Sequence, residues 1–76
     1  MTKIQLHQLI GRALEGSGIQ LNNEITGNTR LREDLGFDSL GLATLTVMIE
    51  EESNVDIFEN GLVSTVEEIY KILGIN

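Results

Sequence analysis

Apolar positions along the chain fall into three blocks of helical spacing, separated by two stretches without a sustained period. Leu6, Leu9, Ile10, Ala13 and Leu14 recur at intervals of three and four, which predicts an amphipathic helix. Thr2-Lys3-Ile4-Gln5 places a capping box in front of it, and the helix should run to about Glu15, with Gly16 and Gly18 ending it. His7 and Gln8 lie off that stripe. A second helix should start at Ser39 behind Asp38 as N-cap and continue to about Ser53. Phe37 and Leu42 stand at the two positions of a hydrophobic staple. Thr65-Val66-Glu67-Glu68 is a further capping box, and Val66, Ile69, Tyr70, Ile72 and Leu73 form the apolar side of a short last helix stopped by Gly74.

The second helix carries two apolar stripes. Leu42, Leu45 and Ile49 make one; Leu40, Ala43 and Val47 make the other, with Met48 between them. One stripe suffices to face a core, so the second is either further burial or a docking surface, and the general rule for isolated apolar residues favours burial. Glu50-Glu51-Glu52 closes this helix where the macrodipole disfavours acids, which points to recognition over folding.

Between the first two helices, Asn22-Asn23 and Thr26-Gly27-Asn28-Thr29 are turn chemistry. A connection from Ser17 to Phe37 is long for a small domain, so it must be functional or packed by its own side chains. Ile19, Leu21, Ile25, Leu31 and Leu35 supply that packing, which predicts an ordered loop. From Asn54 to Ser64 runs a second connection, with Val55, Ile57 and Phe58 pointing inward and room for one short helical turn. No segment alternates as a half-buried strand does. The expected architecture is all-α, a small three- to four-helix bundle with a long ordered first loop, formed by a single domain over residues 1–76.

A chain of 76 residues leaves a core worth only about 3–5 kcal/mol of net stability. Cysteine is absent, which excludes disulfides and thiolate metal sites. The first residues lack a signal-peptide h-region and no apolar stretch reaches membrane-spanning length, so a cytoplasmic location is expected. Net charge is −7, and it is unevenly placed. Between Arg32 and Lys71 stand Glu33, Asp34, Asp38, Glu50, Glu51, Glu52, Asp56, Glu59, Glu67 and Glu68 with no cation among them. Such a field argues against nucleic acid and favours partners with basic patches.

The candidate chemistry lies in Leu31-Arg32-Glu33-Asp34-Leu35-Gly36-Phe37-Asp38-Ser39-Leu40. It sets one hydroxyl at a helix start, where unpaired N–H groups and partial positive charge suit a phosphate ester. Asp34, Leu35, Gly36, Asp38, Ser39 and Leu40 match the pattern Asp-Leu-Gly-x-Asp-Ser-Leu, and the run strongly resembles the modification site of acyl carrier proteins. The resemblance extends over nearly the whole chain. It implies that Ser39 carries 4′-phosphopantetheine, attached from coenzyme A by a separate phosphopantetheinyl transferase, and that acyl groups ride on the arm as thioesters. Ser39 would then be an attachment point and not a turnover nucleophile. Partner docking is assigned to Asp38, Leu40, Ala43, Val47, Glu50 and Glu51, which would meet basic patches on a ketosynthase, an acyltransferase and other synthase enzymes. A monomer is expected.

Carriers of primary fatty acid synthesis usually place acids two and five positions past the serine; here those positions are Gly41 and Thr44. The phrase Leu35-Gly36-Phe37-Asp38-Ser39-Leu40 is more like carriers of polyketide assembly. The free-standing size and the Met1 start suggest a dissociated polyketide pathway, with fatty acid biosynthesis as the alternative. Two other classes fit the sequence poorly. A hydrolase triad of Ser39, His7 and a carboxylate lacks a nucleophile-elbow motif. A calcium loop counted from Asp56 puts Asn60, Gly61 and Glu67 at suitable positions but places Phe58 where an oxygen ligand is required. An unmodified acidic helical interaction module, with Ser39 only a helix-start residue, is the remaining alternative of another class.

Overall fold

In the computed structural model, which describes residues 1–16, 18, 24–59, 61 and 63–75, three helices form the bundle: α1 (Lys3–Gly16), α2 (Ser39–Ser53) and α3 (Val66–Leu73). No fourth helix exists among the described residues. Residues 57–59 form a turn only, with the Glu59 N–H donating to the Asp56 carbonyl and the Phe58 N–H to the Asp56 carboxylate. The fold is all-helical, and its only extended pairing among the described residues is an isolated antiparallel bridge between Arg30 and Thr65.

Each helix starts where its capping residues dictate. Thr2 Oγ1 accepts from the Gln5 N–H at 3.1 Å and Gln5 Oε1 accepts from the Thr2 N–H at 2.9 Å, a complete reciprocal box. Asp38 caps α2 and Thr65 caps α3. At the other ends, Asn54 takes a left-handed conformation (φ 60°) and donates its N–H to the Glu50 carbonyl at 2.7 Å. α1 continues one residue past expectation: Gly16 is its last helical residue, and Gly18 makes the closing turn, donating to the Glu15 carbonyl. α3 closes with the Ile75 N–H on the Tyr70 carbonyl and the Gly74 N–H on the Lys71 carbonyl, the paired bonds of a Schellman motif.

The core unites Leu6, Leu9, Ile10, Ala13 and Leu14 of α1 with Leu42, Leu45 and Ile49 of α2 and Val66, Ile69 and Tyr70 of α3. Ile25, Leu31, Leu35 and Phe37 from the first connection and Ile57 and Val63 from the second complete it. Ile25, Leu31 and Leu35 thus pack as the ordered-loop reading requires, while Ile19 and Leu21 lie outside the described residues. Val55 and Phe58 are only half-buried, and Ile72, expected on the apolar side of α3, is exposed. In an eight-residue helix the inner face is already filled by Val66, Ile69 and Tyr70, so Ile72 turns outward.

The first connection also closes the start of α3. The Val66 N–H donates to the Thr29 carbonyl (3.0 Å), the Glu67 N–H to the Gly27 carbonyl (2.8 Å) and the Glu68 N–H to Thr65 Oγ1 (3.4 Å). All three leading donors of that helix are therefore engaged, two of them by carbonyls of the first connection.

Candidate functional site

A single tight turn delivers the chain to Ser39. The Asp34 and Leu35 N–H groups both donate to the Arg30 carbonyl, and the Phe37 N–H donates to the Leu31 carbonyl at 3.0 Å. Asp34 clamps the turn from its side chain: Oδ2 accepts from the Arg30 backbone N–H at 2.8 Å, and Oδ1 meets the guanidinium at 3.0 Å. Those hydrogen bonds, the side-chain one first, hold the Asp34 carboxyl below its ordinary range. Gly36 follows with φ 79°, a conformation that a side chain would strain, and the reversal there sends Phe37 into the core. Buried Phe37 and buried Leu42 then bracket the helix start as a staple. The acid, the glycine and the aromatic of this run are thus parts of one device that fixes where α2 begins.

At that start, capping and exposure fall on different residues. Asp38 Oδ1 accepts from the Gly41 N–H at 2.7 Å, so the Ser39 hydroxyl, one position inside the helix, is exposed and has no hydrogen-bond partner among the described residues. The other helix-start hydroxyls, on Thr2 and Thr65, are consumed as caps. Ser53 bonds the Ile49 carbonyl at 2.7 Å and accepts from the Val55 N–H. The Ser39 and Leu40 N–H groups meet no acceptor among the described residues, in contrast to the closed start of α3. Open donors beside an exposed hydroxyl, on a rigid element, suit a phosphodiester well. Ser39 could hold the ester, and the backbone of Ser39 and Leu40 its anionic oxygens.

Beyond the helix start, Leu40 (77% exposed), Ala43, Val47 (53%), Glu50 and Glu51 all face outward on one side of α2. The general expectation that the second stripe is buried is overturned, because Leu42, Leu45 and Ile49 alone satisfy the core. Met48, between the stripes, is half-buried. Asp38 is exposed as well, so every residue assigned to docking is accessible. Gly41 is not: it is buried, so of the two positions compared with fatty acid carriers only Thr44 is on the surface.

Two arrangements were not legible in the sequence because they join distant segments. A groove of about 320 Å³ runs between the end of α1 and α2, bordered by Arg12 and Gly16 on one side and by Leu40, Thr44 and Met48 on the other. Far from it, His7 Nε2 pairs with the Tyr70 hydroxyl between α1 and α3, with the Lys3 ammonium 5.0 Å from the Tyr70 ring centre. Burial first, and Lys3 second, lower the His7 pKa against the opposing pull of Glu24. Among the described residues no group of three or more metal-ligating side chains gathers, and no helix is long and apolar enough to cross a membrane.

In comparison with known families, a family model described as a phosphopantetheine attachment site matches residues 5–73. No curated protein matches the chain. No solved structure matches it.

Proposed function

Because the chain belongs to the phosphopantetheine attachment family and is a carrier for covalent 4′-phosphopantetheine, we propose that Ser39 is the attachment residue and that the cargo is an acyl group of a dissociated polyketide pathway. The observation that carries the assignment is the division of labour at the start of α2. Asp38 takes the capping bond, and Ser39 keeps a free hydroxyl beside two open backbone donors. A transferase moves the phosphopantetheinyl group from coenzyme A to the Ser39 oxygen; that oxygen loses its proton, and 3′,5′-adenosine bisphosphate departs. The arm supplies the thiol that this cysteine-free chain lacks, and with it the thioester chemistry.

Chain residues do the rest by position. The Ser39 and Leu40 amides stabilise the diester anion. Leu40, Ala43 and Val47 offer apolar contact, and Glu50 and Glu51 at the far end offer charge, so that a basic-rimmed ketosynthase or acyltransferase docks in one orientation. The preference for polyketide over fatty acid synthesis rests on the uncharged outer face from Leu40 to Ile49, where Gly41 is buried and Thr44 is neutral. Incubation of wild type and Ser39→Ala with coenzyme A and a broad-specificity transferase, followed by intact-mass analysis, tests the assignment. Wild type should gain one phosphopantetheine and the variant none. A loaded variant would move the site elsewhere, first to exposed Ser64.

A further inference from the structure

Two adjoining hollows lie between α1 and α2, and Arg12 borders both. One, of about 320 Å³, lies toward the start of α2, with Leu40, Thr44 and Met48 along its wall. The other, of about 350 Å³, lies toward the end of α2, where Gln5 and Gln8 of α1 stand with Glu52. Leu40, Thr44, Met48 and Glu52 are spaced four residues apart and so form one ridge of α2. At 1.5 Å per residue that ridge is about 18 Å long, or about three turns. We propose that this trough docks a helix of a partner protein. The helix carries a carboxylate and a cation one turn apart, the carboxylate for Arg12 and the cation for Glu52.

Shape, charge and backbone each favour that occupant. Gln5 lies with Glu52 and Gly16 with Leu40, so the two helices run antiparallel, and the trough between them suits the ridge-into-groove packing of a third helix. Arg12 and Glu52 are both exposed and line the same hollow, yet they form no ion pair; among the described residues the salt bridge is that of Arg30 with Asp34. Each charge is therefore left for a group of opposite sign from outside. Arg12 also sets this face apart from the outer face of α2, where Glu50 and Glu51 suit a basic partner. Arg12 shares one hollow with Met48 and the other with Glu52, which are one turn, about 6 Å, apart. A glutamate and a lysine at i and i+4 on the incoming helix match that spacing. Gly16 is the backbone feature. It is helical, the left-handed closing turn belongs to Gly18, and a Cβ on Gly16 would meet nothing within 4 Å. Neither conformation nor packing requires this poor helix former, but its missing side chain lets a partner's backbone approach the Leu40 end closely. At about 100° per residue, Thr44 and Met48 stand about 140° and 180° round the axis of α2 from Ser39. A helix seated here lies on the flank away from Ser39 and binds the loaded and the unloaded chain alike.

The probe is a stapled helical peptide of about twelve residues, long enough to fill the trough, with Glu and Lys four positions apart on one stripe. A sister peptide has Lys in place of that Glu. Each is titrated into wild type and into Arg12→Glu, and amide spectra are recorded. The first peptide should shift the amides of Gln8, Arg12 and Gly16 on α1 and of Thr44, Met48 and Glu52 on α2. Read at those amides, the sister peptide should bind wild type several-fold more weakly. Arg12→Glu, an exposed substitution that leaves the core untouched, should invert the preference, an outcome that a loss of stability would not produce. Transferase should load Ser39 at an unchanged rate on peptide-saturated wild type. Equal binding of the two peptides at the trough, no shifts, shifts confined to Val47 and Glu51 on the outer face, or blocked loading each overturn the assignment. The same shifts appearing with rising protein concentration and no peptide would give the trough to a second copy of the chain and overturn it too. Failure of wild type to load without peptide overturns the Ser39 reading and leaves the trough assignment to its own titration.

Discussion

At Asp38 and Ser39 two neighbouring side chains share what a single residue does at the starts of α1 and α3. Asp38 caps, and Ser39 stays available. Replacing Ser39 by Ala should therefore abolish loading while leaving far-UV circular dichroism unchanged. Replacing Asp38 by Ala should instead cost about 1 kcal/mol of stability, visible as a lower denaturant midpoint, because the Gly41 N–H loses its acceptor. His7 sets a second residue-scale expectation. Its folded pKa lies below the ordinary value, so near pH 6.5 and somewhat below it the unfolded chain binds more protons than the folded one. The stability it contributes is present above the unfolded pKa and is lost as pH falls through the folded value. Lys3, Tyr70 and Glu24 are the groups around it. The melting temperature should drop on acidification from pH 7 toward 5.5, and His7→Gln should flatten that slope. An unchanged slope in the variant would assign the effect to other groups.

Among the elements, α2 presents a buried apolar stripe and an exposed one on opposite faces. Its inner stripe is buried against α1 and the loops, and its outer stripe has no charge until Glu50. Buried Gly41 is a poor place for a carboxylate, so the test of pathway tuning belongs at exposed Thr44. Wild-type carrier should be a weak substrate for a fatty acid ketosynthase, and Thr44→Glu should improve turnover by strengthening contact with a basic rim. One rim contact adds only a few tenths to about 1 kcal/mol, so the gain should appear in association rate and fade with salt. Wild-type turnover equal to that of a fatty acid carrier would return this chain to primary metabolism. α3 is a different kind of element. Its start is sealed by the carbonyls of Gly27 and Thr29, which makes it a clasp for the long loop and leaves its leading donors unavailable to an anion.

Over the whole molecule the acids dominate, with net charge −7 on a body 27 × 23 × 20 Å across. Most of them are exposed, and at low ionic strength they repel one another. The Debye length falls to about 10 Å at 0.1 M salt, so moderate salt should raise the melting temperature. A melting point indifferent to salt over that range would show that the charges are not crowded in space.

Helix positions, caps and the candidate serine were all legible in the sequence because they depend on neighbours within four residues: a capping box, an i, i+3, i+4 stripe, an Asp before a Ser. The proposal of Ser39 as the attachment residue draws on that same local run, Leu31 to Leu40. Which apolar stripe of α2 is buried was not legible, since both have helical spacing and only the positions of α1 and the loops choose between them. Nor was the burial of Gly41, the sealing of α3 by residues some forty positions earlier, the His7–Tyr70 contact, or the groove that Arg12 of α1 and Leu40 of α2 line together. Those depend on how the elements pack. Periodicity reports which side chains share a face of a helix; only the tertiary structure decides what that face meets.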